Sequence, residues 1–567
     1  MTQVYLTYSR EVLGFSKSIE SGQLIRTWTK KMCTGNSSDD CRKEVEGKEN
    51  VNTVLFQDPA TVEVNHPNKT KDLDTILAES VGKFGWFQVW LLAILFFCQA
   101  TFATGVYTSV FSDYTPRHHC VGDQEEAFNL TKWEEESERC GLISDNNLTE
   151  CSMWAFDKSV IQDSASSEFG IVCNKAVLKT LSGTLKMSGL LVGSFVFGWM
   201  SDVFGRVLSL TLAGVLLFIS QILAGFSTNY IMFSVMNIFM AAGGIGSYLI
   251  SFVLLFEWIS PEYRTTASAS AQVPFALGFL YTVLIAWTVS SWQPLQFALA
   301  APNIVFIVFP FILPESPRWL VSQKKYQKAM KSIRFAAKSN KLPAPEEGIE
   351  DKSESCDSFG IGVLVAHPVL RYRLLIMSFN WIVVTLCFYG LILNSAGQDL
   401  FIGMSSSAAV ELLAYILTIF LMDMFGRRPI LTICQILSGC CCVCAGFIPQ
   451  DFFWIRLFFS SIGKMGASAV FSVIFIYTSE LFPTCVRNSS MGLCSTVARI
   501  GAMLAPSIAS LDSVLPMLPF LVMGGAAIIA GCVSFALPET RGTKLPETLE
   551  QAEAIGKGIN TVNHEKK

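Results

Sequence analysis

The sequence predicts an all-α polytopic membrane protein of twelve helices arranged as two six-helix halves. Three observations predict it. Hydrophobic residues make up 51% of the 567 positions while charged residues make up only 16%, well short of the roughly one quarter usual in soluble chains. Apolar stretches of about 20 residues, the length that crosses a hydrocarbon core, recur about twelve times. Three loop motifs also recur, in one order and at nearly one spacing.

The apolar stretches run near 87–110, 180–200, 207–226, 231–256, 266–289 and 295–313 in the first half, and near 373–394, 405–422, 429–448, 453–477, 489–510 and 515–537 in the second. The polar segment 1–71 is expected to be cytosolic and disordered, and no secretory signal opens it. The stretch 72–313 is then the first half, 314–371 a central loop, 372–542 the second half and 543–567 a tail.

Loop chemistry orients the chain. Segment 112–178 is acidic, holds the sequons at Asn129 and Asn147, and carries Cys120, Cys140, Cys151 and Cys173. It reads as a large extracellular loop between the first two spans, glycosylated and closed by two disulfides of open connectivity. The central loop carries Arg318, Lys324, Lys325, Lys328, Lys331, Arg334, Lys338 and Lys341, and the positive-inside rule puts it in the cytosol. An even number of spans leaves both termini cytosolic, so the sequons at Asn36 and Asn68 are expected to stay unused. The cysteines Cys440, Cys441, Cys442 and Cys444 read as small core residues.

The repeat lies in the loops. Asp202, Gly205 and Arg206 follow the second span, and Asp423, Gly426, Arg427 and Arg428 follow the eighth, 221 residues on. Glu257, Pro261 and Arg264 follow the fourth, and Glu480, Pro483 and Arg487 follow the tenth, at an offset of 223. Pro314-Glu315 with Arg318 follows the sixth, and Pro538-Glu539 follows the twelfth, at 224. Parallel repeats of this kind are a transporter device. Paired acids and arginines at helix ends can latch one conformation and release it; topology alone would need only positive charge.

These motifs resemble those of the organic cation, anion and carnitine transporters of the major facilitator superfamily. The resemblance rests on D-x-F-G-R after span two, E-W-x-x-P-x-x-R (Glu257 to Arg264), P-E-S-P-R-W-L (Pro314 to Leu320) and S-E-L-F-P-T-x-x-R-N (Ser479 to Asn488), together with the cysteine-bearing first loop. It covers about residues 72–548. It implies the major facilitator fold, alternating access around a central cavity, and small organic ions as substrates, in a plasma-membrane protein working as a monomeric transport unit. Two positions depart from the family: Val207 where a second basic residue is usual, and Asn237 where an arginine is usual.

Four charges fall inside spans: Lys186, Glu411, Lys464 and Arg499. Such residues face a bundle interior or a water-filled cavity. Lys464 reads as more structural than substrate-binding. Glu411 either partners Lys464 or gates the cavity. Lys186 either adds to the cavity or snorkels toward the outer surface. In the resembled family, the span-eleven position matching Arg499 is acidic in cation carriers and basic in carriers of organic anions and of carnitine. A guanidinium offers a carboxylate a planar donor fork; the opposite reading has Glu411 neutralising it. Trp381, Phe388 and Tyr389 on span seven are candidates to hold the organic body, by cation–π contact if the substrate is zwitterionic. Gln272 is a weaker polar candidate.

The function expected is transport of small organic anions or carnitine-like zwitterions. The alternatives are a cation carrier using Glu411, or a receptor or scaffold that has lost transport. Coupling to sodium, to protons or to an exchanged solute stays open. The net charge of −4 argues against nucleic acid as partner. No cofactor or metal is expected, nor is an enzyme, since His66, His118, His119, His367 and His564 all lie outside the spans and no catalytic arrangement occurs.

Overall fold

In a computed structural model of the chain, the described residues are 73–82, 84–121, 128, 141–144, 147–151, 153–259, 270–343, 361–395, 399–449, 451–543, 546 and 549–555. The expectations for segment 1–71 and for Asn129, Cys140 and Arg264 therefore lie outside the described residues. Among the described residues, ten helices are long and apolar enough to cross a membrane, and two shorter apolar helices stand where the fifth and twelfth spans are expected. Helices suit this setting because each satisfies its own backbone polar groups where no water can.

In chain order they are α1 (Trp86–Ser112), α2 (Ala176–Phe204), α3 (Arg206–Gly225), α4 (Tyr230–Trp258), α5 (Val273–Thr288) and α6 (Trp292–Ala300, carried on by a 3-10 stretch Ala301–Val308 and a last turn Phe309–Ile312). After the central loop come α7 (Pro368–Ser395), α8 (Leu400–Phe425), α9 (Arg427–Phe447), α10 (Phe453–Leu481), α11 (Thr484–Ala509) and α12 (Leu518–Ser534).

The packing repeats as the loops do. In the first half α3 packs on α4 and α6, α2 on α4, and α1 on α4, α5 and α6; in the second, α9 packs on α10 and α12, α8 on α10, and α7 on α10, α11 and α12. Between halves α2 meets α11 and α5 meets α8, which are equivalent contacts once six helices are added to each number. Small residues set the closest approaches, as is common between membrane helices. A Cβ on Gly278 would come within 2.3 Å of the Ala100 carbonyl, and one on Gly501 within 2.1 Å of the Ile382 carbonyl. These two glycines are 223 apart, and so are Gly243 against α3 and Gly466 against α9. The repeat thus extends from the loops into the helix contacts.

The buried core is shared on one side only. On the side of the 113–172 loop one cluster draws Phe111, Phe279, Phe388, Met404 and Phe520 from both halves. On the central-loop side the first half has its own core around Leu91, Phe197, Leu254 and Phe309. The second half has another, around Leu374, Leu431, Val473 and Leu481. Among the described residues the halves are therefore zipped toward the large loop and keep separate cores toward the central loop.

The large loop carries two short ribbons: β1 (His118–Val121) pairs antiparallel with β4 (Met153–Phe156), and β2 (Gly141–Ser144) with β3 (Asn147–Glu150). Cys120 on β1 bonds to Cys151 just before β4, and Cys173 is also disulfide-bonded. Alternating residues such as His118, Cys120, Trp154 and Phe156 suit a ribbon. The cysteine run on α9 is not all core, since Cys441 and Cys442 are buried but Cys440 and Cys444 are exposed on the outer face. Positions 440, 441, 442 and 444 spread around more than one face of a helix and cannot all point inward.

Candidate functional site

At the helix ends facing the central loop, the repeated charges assemble twice. In the first half the Arg206 guanidinium donates to both Glu257 oxygens, the nearest at 2.8 Å, and to Asp202 Oδ1 at 2.8 Å. Glu315 accepts from the backbone N–H groups of Arg206 at 2.9 Å and Val207 at 3.2 Å, so its carboxylate sits on the free donors that begin α3. Burial pushes the Glu315 carboxyl up from the usual range, and the N–H groups of Ser316, Arg206 and Val207 pull the other way. In the second half Arg427 pairs with Glu480 at 3.1 Å, and Glu539 accepts from the N–H groups of Arg427 and Arg428, both at 3.0 Å, at the start of α9.

The turn glycines make room for this. Gly205 has φ +104° and Gly426 φ +93°, values that favour glycine, and a Cβ there would fall 2.6 Å from a Glu315 oxygen and 2.8 Å from a Glu539 oxygen. Gly205→Ala is expected to lower the stability of the purified protein by roughly 1–3 kcal/mol, the cost of a positive-φ extended backbone that is essentially glycine-only, and by more if Glu315 is pushed off α3. Unchanged melting would show that the carboxylate does not hold this helix.

The sequence motifs resolve unevenly. The pairs form within each half, and among the described residues none joins one half to the other. Arg318 donates to the Glu257 carbonyl at 3.3 Å, and Arg487 to the carbonyls of Phe482 and Pro546, each at 3.3 Å. Asp423 does not act like Asp202: it is exposed, and Arg427 donates to the Met422 carbonyl instead. Val207 serves the motif through its backbone N–H, which needs no basic side chain. Asn237 donates to the Phe233 carbonyl one turn back, at 3.0 Å.

Deeper in the bundle, where the halves meet, the intramembrane charges take up distinct places. Lys464 on α10 and Glu411 on α8 form an ion pair at 3.0 Å, both side chains 0% exposed. The Lys464 ammonium lies 3.3 Å from the centroid of the Phe388 ring and donates to the Phe388 carbonyl at 3.3 Å. Tyr415 and Tyr107 donate their hydroxyls to Glu411 at 3.3 and 3.5 Å. Tyr107 belongs to α1, so this knot bridges the halves. Phe388 in turn stacks on Phe471 at 4.9 Å.

Lys186 follows neither reading given to it. It is 4% exposed and donates to the carbonyls of Gly105 and Val106 at 3.0 and 2.9 Å and to Ser109 at 2.6 Å, all on α1. Its length lets it span the α1–α2 contact and spend its donors on backbone. Trp381 is buried in the second half's own core, donates to Thr478 at 3.0 Å and packs edge-on against Phe475.

Arg499 remains. It is 9% exposed on α11, and among the described residues no carboxylate pairs with it. Tyr389 on α7 and Tyr248 on α4 are its polar neighbours, and Tyr248 accepts from Gln272 at 3.2 Å. Arg499, Tyr389, Tyr248 and Gln272 thus form a polar cluster drawing on both halves, and Glu411, whose charge also reaches Tyr389, is paired with Lys464. Sequence reasoning missed Tyr107, Tyr248 and Tyr415. The available signal was that a tyrosine hydroxyl within a span requires a partner.

Comparison with known proteins gives the setting. The model of the sugar (and other) transporter family matches residues 91–552. The organic cation transporter protein of Drosophila melanogaster is 32% identical over 429 residues, covering 73% of this chain and 78% of that protein. The chain belongs to the organic ion transporters of the major facilitator superfamily. Solute carrier family 22 member 6 of Pseudopleuronectes americanus is also 32% identical, over 73% of this chain and 76% of its own. Solute carrier family 22 member 2 of Rattus norvegicus is 29% identical over 85% and 95%. The xylose transporter XylE from E. coli, in an inward-open structure, shares the fold at a TM-score of 0.54 and 18% identity, over 82% of this chain and all of that one. This is a multi-pass membrane transporter, not an enzyme.

Proposed function

We propose that this transporter carries small organic anions or carnitine-like zwitterions by alternating access, with Arg499 meeting the acid group of the substrate. One observation carries the reading: Glu411, the acid that could have neutralised Arg499, is held by Lys464 instead. A guanidinium left without a counter-ion in a nearly closed site is costly, and a carboxylate arriving with the substrate supplies the missing charge. Tyr389, Tyr248 and Gln272 would then hydrogen-bond and pack the organic body. The Phe388 ring face is taken by Lys464, so a quaternary ammonium would have to use the tyrosine rings. In the same reading the protein sits in the plasma membrane with both termini cytosolic, and the separate cores toward the central loop correspond to a state open to the cytosol.

The name of the Drosophila relative, organic cation transporter protein, favours the second reading, an organic cation carrier. That reading requires Glu411 to leave Lys464. Loss of transport has no support in the latch, because Val207 contributes its backbone there. Uptake by cells expressing the protein separates the two readings, using labelled carnitine, an aromatic carboxylate and a quaternary ammonium compound without an acid group. The expected result is uptake of carnitine or the carboxylate. Uptake of the third compound alone would overturn the proposal.

A further inference from the structure

We propose that the basic face of the central-loop helix Tyr326–Ser339, with the turns on either side, binds the headgroups of anionic membrane lipids. Between Ser316 and Pro345 the chain has eight lysines and arginines and no aspartate or glutamate. Lys324, Lys328, Lys331, Arg334, Lys338 and Lys341 are all exposed, and among the described residues none is paired with a carboxylate. The opposite face of the helix, with Ala329, Ile333, Ala336 and Ala337, is buried. So much unneutralised charge of one sign on one face calls for an anionic partner.

Position says which partner. Ile333 and Ala336 pack in the same core as Phe87 and Ile76. Asn340 accepts from the Phe87 N–H at 2.7 Å and donates to the Val81 carbonyl at 2.7 Å and to Gln88 at 2.9 Å. The helix is therefore tied to the first turn of α1, where the chain enters the apolar layer. Two aromatics flank that junction with exposed rings, Trp86 at 71% and Phe335 at 49%, and Phe335 meets Phe87 edge-on. Aromatic rings beside lysines mark the headgroup level of a bilayer. The cations are spread over an open face and do not converge on a pocket, so they suit an array of headgroups better than a single small anion. In the orientation given above this face meets the cytosolic leaflet, where anionic lipids lie. The neighbouring acidic stretch with Glu346, Glu347, Glu350, Asp351 and Glu354 is the competitor.

The test is lipid retention by the full-length protein purified from mixed phosphatidylcholine and phosphatidylserine vesicles, a measurement independent of substrate sign. The wild-type chain is expected to retain phosphatidylserine several-fold above its bulk proportion. The combined Lys328→Gln, Lys331→Gln, Arg334→Gln and Lys338→Gln variant is expected to retain the bulk ratio. Bulk proportions on the wild type, or an undiminished excess on the variant, would overturn the proposal. So would an excess that forms only after the acidic stretch is changed to glutamine, since the chain would then be covering its own patch. Should the variant fail to fold, ionic strength decides: headgroup binding through these cations falls as salt rises, and a salt-independent excess would overturn it.

Discussion

Replacing Arg499 by aspartate is expected to abolish carboxylate uptake, by roughly 100-fold or more in kcat/KM, with delivery to the cell surface retained. The magnitude follows from the site. Removing one member of a desolvated charge pair costs about 2–5 kcal/mol, and the new carboxylate would also repel an anionic substrate. Arg499→Lys keeps the sign but loses the planar fork, so it should recover part of the activity, mostly through KM. Arg499→Asp places its charge near the Tyr389 and Tyr248 hydroxyls, which can donate to it, and this favours a folded variant. Unchanged kinetics for carnitine and for an aromatic carboxylate in the aspartate variant would remove Arg499 from the substrate site.

Much of the fold was legible because a membrane imposes its rules on composition. Every predicted span contains a helix, most within a few residues of the expected limits, and Arg206, Glu257 and Glu315 assemble within their half as Arg427, Glu480 and Glu539 do within the other. What the residue order could not carry was rotation about each helix axis. Trp381 and Tyr389 lie on one helix eight residues apart; one packs within its own half and the other faces Arg499. Lys464 and Glu411 are 53 residues apart on different helices, so no local period announces that they meet. Asp423 matches Asp202 in the motif and still faces solvent, while Arg427 turns to Glu480 and a backbone carbonyl. The glycine pairs 223 residues apart were readable in principle. They needed alignment of helix interiors, whereas the loop motifs stood out unaided.

The Lys464–Glu411 pair supports the second large expectation. Lys464→Met leaves a carboxylate with no counter-charge at a position that is 0% exposed. Breaking such a pair from one side costs about 3–5 kcal/mol, whereas replacing both partners by groups of similar size is often neutral or stabilising. The single variant should therefore melt well below the wild type in detergent, and Lys464→Met with Glu411→Gln should recover most of the loss. The amide keeps groups that Tyr107 and Tyr415 can bond to, which makes it the better partner for the double variant. Additive losses in the double variant would mean that the two side chains act independently. The same single variant bears on substrate sign, because it frees both Glu411 and the face of Phe388. Uptake of a quaternary ammonium compound that is absent in the wild type and appears in Lys464→Met would identify Lys464 as the group that keeps cations out. Its continued absence, with the stability loss observed, would confine the pair to holding α8, α10 and the Tyr107 end of α1 together.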